Sequence, residues 1–298
     1  MSHNHSHNKS TETSEKNLFI TMALNIFITV VQIIGGIISG SLSLISDAMH
    51  NFSDAIAIVV TYIALKLSKK PKTPKYTFGL KRAEIIAAVI NASTLIIISF
   101  FLIREALERL NNPNEITGSL MLVVAVVGFI PNVVGALLLK KGSEKNINIR
   151  AAYFHLISDA VSSIAIIVGA LFIIFYKVYW IDPILTILIA LYILIEAYKI
   201  LKESIDILMM SNTEGIDLNE IKLFAENISG VINIHHIHLW KLSDNETHFE
   251  AHIEVEDMAV SKTADIQKLI EHELHERFEI NHTTLQFECD KCDVKKLV

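Results

Sequence analysis

Cysteine is nearly absent from the 298 residues. Only Cys289 and Cys292 occur, which argues against a disulfide framework. Their C-x-x-C spacing near the C-terminus fits a metal clip or a redox pair, and the tail that carries them is expected in a reducing compartment. Net positive charge is lacking too. At −6 the chain offers no concentrated basic surface outside short loops, which sets nucleic acid aside as a partner. The polar residues 1–16 have no apolar core of the signal-peptide kind, so no cleavage is expected. No H-E-x-x-H word occurs.

Apolar sequence, by contrast, is abundant: 51% of residues are hydrophobic and the mean hydropathy is +0.43, more than one water-soluble core needs. A bilayer core takes about 20 apolar residues per helix. Runs of that kind lie near Leu18 to Ser39, Leu42 to Leu67, Glu84 to Ile103, Ile116 to Leu139, Arg150 to Tyr176 and Trp180 to Leu201. The expected architecture is an α-helical polytopic membrane domain of six transmembrane helices over residues 18–210. A His-rich tail (1–17) precedes it and a C-terminal domain (211–298) follows. Pro131, with Gly128 and Gly135, predicts a kink or a close helix contact in the fourth span.

Charge orients the spans. The loop between spans two and three holds Lys66, Lys69, Lys70, Lys72, Lys75, Lys81 and Arg82 with no acid, and that between spans four and five holds Lys140, Lys141, Lys145 and Arg150 against Glu144 alone. Such loops stay on the cytosolic side, which places both termini in the cytosol. After Met210 the hydropathy falls. The pattern predicts a helix near Asp217 to Ile228, strands Val231 to Leu242 and Thr247 to Val255, a helix Ser261 to Phe278 and a strand Thr283 to Glu288, an α+β domain in the order αββαβ.

Ionisable residues at membrane depth are costly and mark polar pathways. Here the word H-x-x-S-D appears twice, as His50-Asn51-Phe52-Ser53-Asp54 in span two and His155-Leu156-Ile157-Ser158-Asp159 in span five. At i, i+4 each His and Asp share a helix face, and two such faces opposed supply two nitrogens and two carboxylates. That set suits tetrahedral Zn2+, whereas Mg2+ or Ca2+ favours oxygen alone. At 1.5 Å per residue Asp54 lies about 18 Å and Asp159 about 14 Å into their spans, both near mid-bilayer. A pair of structural interhelical hydrogen bonds is the simpler reading of one such word, but it does not account for two at matched depth. Asp47, one turn before His50, is either a supporting carboxylate or a solvated helix-end acid; Asn25 and Asn91 are weaker pathway candidates.

Three long words carry a family resemblance: Ser43-Leu44-Ile45-Ser46-Asp47-Ala48-Met49-His50-Asn51-Phe52-Ser53-Asp54, Tyr76-Thr77-Phe78-Gly79-Leu80-Lys81-Arg82-Ala83-Glu84 and Asn148-Ile149-Arg150-Ala151-Ala152-Tyr153-Phe154-His155. From about Phe19 to Cys292 the chain resembles cation diffusion facilitators, nearest to the CzcD-like and vesicular zinc-transporter branch. The resemblance implies a homodimeric Zn2+/H+ antiporter in the plasma (inner) membrane with a metallochaperone-like cytosolic domain. In that family His at the first tetrad position goes with zinc preference, and His50 occupies it here. The short connection Gly142 to Asn148, with no His-rich insert, is of the bacterial type.

By the same resemblance His238, His252, His282 and Glu288 form a cytosolic site for a structural or regulatory Zn2+, with His235 as a second ligand candidate. Alternation along a strand puts His236 and His238 on one face and His235 on the other. Cys289 and Cys292 can reach one Zn2+ together, the missing ligands being His3, His5 or His7 of the same or a partner chain; a solvent-exposed dithiol fits the spacing equally. His272 and His275 sit on a charged helix face and read as solvated. Two rival functions remain at this stage, an intramembrane zinc metalloenzyme and a non-transporting zinc sensor. The first needs an open coordination position and a general base, which a closed four-ligand shell does not provide.

Overall fold

Hydrophobic helices dominate the first two thirds of the chain: α1 (Ile26–Ser39 as described), α2 (Leu42–Ser68), α3 (Ala83–Asn111), α4 (Gly118–Ser143), α5 (Ile147–Tyr176) and α6 (Ile181–Leu208). The computed structural model describes residues 26–143, 147–212, 215–243, 246–289 and 296–298. Among these, α2 to α6 are long and apolar enough to cross a bilayer. Helix α2 is the least apolar of the five, with Asp47, His50, Asn51 and Asp54 along it. The outward faces are apolar, with Phe101, Leu137 and Phe175 each well exposed. An oily exterior of this extent suits lipid as the solvent.

Several boundaries exceed the sequence reading. Helix α3 runs past Ile103 to Asn111 because its charges pair on the helix, Arg104 with Glu108 and Arg109 with Glu105, each at 3.0 Å. Arg109 Nη1 also donates to the carbonyl of Gly40 at 2.6 Å. That glycine makes the α1–α2 turn at φ 76°, where a side chain is disfavoured. Helix α6 likewise continues beyond Leu201 to Leu208. Pro131 stays inside α4, and the close contact expected there occurs at Gly128. A Cβ on Gly128 would lie 2.8 Å from Gln32 Nε2 of α1.

The helix α2 has no acid of its own in its first turn. Asp182, fully buried at the start of α6, substitutes for one: it accepts from Ser41 Oγ (2.6 Å), Leu42 N (2.8 Å), Ser43 N (3.2 Å) and Ser43 Oγ (2.6 Å). A carboxylate at a helix N-terminus satisfies orphan donors and complements the dipole.

The C-terminal elements follow the expected order: α7 (Leu218–Glu226), β1 (Val231–Ser243), β2 (Glu246–Val255), α8 (Val260–Phe278) and β3 (His282–Glu288). Strand β2 is central, antiparallel to β1 and parallel to β3. The parallel pairing requires a crossover, which α8 supplies. Ile221, Ile234, Phe249, Ile253, Ile270 and Leu274 fill the core between sheet and helices. The chain forms two compact units, one of Ile90–Leu201 with the residues up to Tyr62, the other of Ile63–Val89 with Lys202–Val298.

Candidate metal centres

Four ligand groups converge in the first unit. His50 Nε2 lies 3.6 Å from Asp54 Oδ2 and 3.9 Å from Asp159 Oδ1, and His155 Nε2 lies 3.4 Å from Asp54 Oδ2 and 3.5 Å from Asp159 Oδ2. Ligands at 2.0–2.2 Å around a tetrahedral ion stand about 3.3–3.6 Å apart, and these four histidine–aspartate separations lie within a few tenths of an ångström of that, while His50, His155 and Asp159 each offer an atom within 4.8 Å of the other two. His50 Nδ1, Asp54 Oδ2 and Asp159 Oδ2 are buried with no hydrogen-bond partner among the described residues. Buried polar atoms left unpaired call for a cation or protons. The site is graded in depth: the Asp159 side chain is 3% exposed and that of His155 40%. A cavity of about 240 Å³ adjoins it, lined by Asp47, His50, Ser158, Asp159, Ser162 and Tyr192.

The serine of each repeated word ties its helix to the next one. Ser53 Oγ donates to Asn91 Oδ1 of α3 at 3.0 Å, and Ser158 Oγ shares a hydrogen bond with Tyr192 Oη of α6 at 3.0 Å. Asn91 thus serves as a support for α2. Asp47 is buried, so the solvated-acid alternative falls away: Gln32 Nε2 of α1 donates to it at 2.6 Å and Ser162 Oγ of α5 donates to its other oxygen. Gln32 also accepts from Asn51 Nδ2 at 3.1 Å. Gln32 and Ser162 were not singled out from the sequence; a polar residue at membrane depth was the available signal. Asn25 lies outside the described residues.

In the second unit a different histidine set gathers from the one carried over by resemblance. The ligand atoms of His235, His236 and His252 lie within 4.8 Å of one another, and Glu288 approaches His235 Nε2 at 2.9 Å and His252 Nδ1 at 3.3 Å. The strict alternation expected of β1 fails here. His236 has φ 49° and the register with β2 slips between His235 and His238, so a bulge turns His236 to the side of His235. The outer edge is occupied by the chain end, with the His236 and Ile237 amides donating to the Lys296 and Leu297 carbonyls.

His238 is exposed opposite Glu250, and His282 sits beside His248 with ring centroids 4.6 Å apart, so neither joins the cluster. Cys289 ends β3 in an exposed position, while Cys292, His3, His5 and His7 lie outside the described residues. His272 and His275 are exposed on α8.

The protonation of His235 is fixed by its neighbours. Asn233 Nδ2 donates to Glu226 Oε1 at 2.9 Å, which turns its oxygen towards His235 Nδ1 at 3.1 Å, so Nδ1 carries the hydrogen. The Nε2 lone pair then faces the Glu288 carboxylate without hydrogen-bond geometry despite the 2.9 Å separation. A proton on Nε2 or a metal ion would relieve two acceptors so close, and a metal-bound histidine typically donates its other nitrogen in this way. His248 belongs to a separate contact with Trp240, Phe78 and Glu246. Burial, then the neighbouring His282, lowers its pKa below the usual histidine value.

Comparison with known proteins agrees with this division. A family model described as the cation efflux transmembrane domain matches residues 18–209, and one described as the cation efflux protein cytoplasmic domain matches residues 213–289. The chain is 37% identical over 287 residues to a cadmium, cobalt and zinc/H(+)-K(+) antiporter of Bacillus subtilis, covering 95% of this chain and 92% of that one. It is 33% identical over 297 residues to the zinc transporter ZitB of Escherichia coli, covering 98% and 94%. To the metal cation efflux system protein CzcD of Cupriavidus metallidurans it is 33% identical over 291 residues, covering 98% and 91%.

Proposed function

Because the chain belongs to the cation efflux family, we propose that it exports Zn2+ from the cytosol in exchange for protons, with His50, Asp54, His155 and Asp159 as the transport site. The protein is an integral membrane transporter and not an enzyme. The intramembrane metalloenzyme and the sensor find no support in this family. The observation that carries the proposal is the convergence of two imidazoles and two carboxylates from α2 and α5 at near-tetrahedral spacing.

Imidazole must be neutral to bind Zn2+, and carboxylate must be ionised, so protons arriving from outside compete directly with the metal. The site loads while open to the cytosol, turns outward, releases the ion as protons bind, and returns protonated. Alternating access around a midplane site is the general scheme for such carriers. The basic loops support an orientation in the plasma membrane with both termini on the cytosolic side. The functional division is a His-rich tail (1–17), a transport domain (18–210) and a metal-binding, dimer-forming domain (211–298). Sealed vesicles with an imposed pH gradient test the whole reading: zinc should accumulate only with the gradient, and zinc uptake indifferent to it would remove the proton exchange.

His50→Asp should keep transport and move its ranking towards Cd2+ or Mn2+, since exchanging nitrogen for oxygen weakens the preference for borderline metals. Uptake measured across a metal panel checks this; an unchanged ranking would place selectivity elsewhere.

A regulatory Zn2+ belongs, on this reading, to His235, His236, His252 and Glu288. A metal that binds only the folded, associated domain stabilises it by about 2.7 kcal/mol at a hundredfold excess over its dissociation constant. His235→Ala with His252→Ala should abolish the zinc-dependent rise in the melting temperature of the dimer, while His238→Ala keeps it. If His238→Ala abolishes the rise, the set carried over by resemblance, which shares His252 and Glu288 with this one, is the correct one.

A further inference from the structure

The second unit contains an apolar cavity of about 390 Å³ with one uncompensated charge in its wall. Phe78, Ile86, Met210, Trp240 and Leu242 line it together with Arg82. Its volume falls in the range of about 300–1,000 Å³ typical of ligand pockets. Nε and Nη2 of Arg82 are shielded from solvent and have no hydrogen-bond partner among the described residues. The adjacent Lys81 is in a different situation, because its ammonium group is paired with Glu246. Two guanidinium nitrogens shielded from water, with no carboxylate paired to them among the described residues, are costly, and a planar donor fork of this kind matches a phosphate.

The surroundings indicate where the phosphate comes from. Arg82 immediately precedes α3, whose apolar run crosses the bilayer, so its guanidinium stands at the membrane boundary. Phe78, Ile86 and Met210 are each about half exposed at the rim, an apolar mouth that water does not favour. The flanking Lys69, Lys70, Lys72 and Lys75 are exposed and no acid lies among them. A basic cluster at a span end next to an oily cavity complements an amphipathic anion in charge and in polarity.

We propose that this cavity binds an anionic membrane phospholipid, with the headgroup phosphate on Arg82 and an acyl chain entering past Ile86 towards Trp240 and Leu242. The occupant would brace the 69–82 loop against β1 at the end of α3. The inference does not rest on the transport reading and survives its failure.

Trp240 reports on the cavity directly. The sequence has two tryptophans, so full-length protein carrying Trp180→Phe leaves Trp240 as the sole emitter. That protein is placed in phosphatidylcholine nanodiscs and titrated with phosphatidylglycerol brominated on its acyl chains, or with equally brominated phosphatidylcholine. Phosphatidylglycerol should quench Trp240 at about fivefold lower mole fraction, the effect of a single interfacial cation. Arg82→Gln should erase that difference and Arg82→Lys should keep most of it.

Equal quenching by both lipids in the protein with native Arg82 would overturn the proposal, and that comparison needs no cavity variant to fold. So would a headgroup preference that persists in Arg82→Gln. Soluble glycerol phosphate that shifts Trp240 emission, with no quenching by the brominated lipid, would identify a free-anion site and refute the lipid.

Discussion

Asp159→Ala is expected to reduce zinc transport at least about a hundredfold while leaving a folded membrane protein. Removing one member of a buried ionic set costs roughly 3–5 kcal/mol, which corresponds to such a factor. Asp159 is the most buried of the four proposed ligands, and its two oxygens face the two imidazoles separately, at 3.9 Å from His50 and 3.5 Å from His155. No other described carboxylate is free to replace it, because Asp47 is held by Gln32 and Ser162. Zinc uptake into reconstituted vesicles gives the rate, and size-exclusion chromatography confirms the fold. Asp159→Asn keeps the shape and removes the charge, so it should fail similarly. Normal uptake by either variant would exclude Asp159 as a ligand.

The second large effect concerns stability. Asp182→Ala should destabilise the membrane unit by about 3–5 kcal/mol, since it strips four donors at the α2 start of their fully buried acceptor, two of them backbone amides and two of them hydroxyls that keep only each other at 3.2 Å. Asp182→Asn retains one acceptor oxygen and should recover part of the loss. Thermal unfolding in detergent, followed by loss of the monodisperse peak, measures both. A wild-type midpoint for Asp182→Ala would mean that water or another group caps α2 equally well.

The sequence made the helices and the αββαβ order legible because both depend on local periodicity. The strand Val231 to Leu242 and the helix Ser261 to Phe278 differ from β1 and α8 by one residue at one end. The meeting of the two repeated words was equally visible, since i, i+4 spacing needs only helical geometry to bring His50, His155 and Asp159 together, with Asp54 beside both imidazoles. The cytosolic cluster was not. Strand alternation assumes an unbroken ladder, and nothing in the residue types around His236 announces a positive φ at a non-glycine position. Asp182 passed unmarked within the run Trp180 to Leu201 because its partners lie about 140 residues away, a distance that no local pattern spans. The clamp on Asp47 was hidden for the same reason: Gln32 and Ser162 meet it only once α1, α2 and α5 are packed.

The ligand composition of the tetrad also bears on energy coupling. Empty, two carboxylates with two neutral imidazoles carry two negative charges; one Zn2+ or two protons bring the set to neutrality. Under the proposed exchange, both loaded forms therefore cross between the faces as electrically silent states. An empty return would instead carry two charges through the field, at about 2.3 kcal/mol each per 100 mV. With two protons exchanged per Zn2+, the membrane voltage would neither drive nor oppose the coupled cycle, and the pH difference would supply the protons' share of its work.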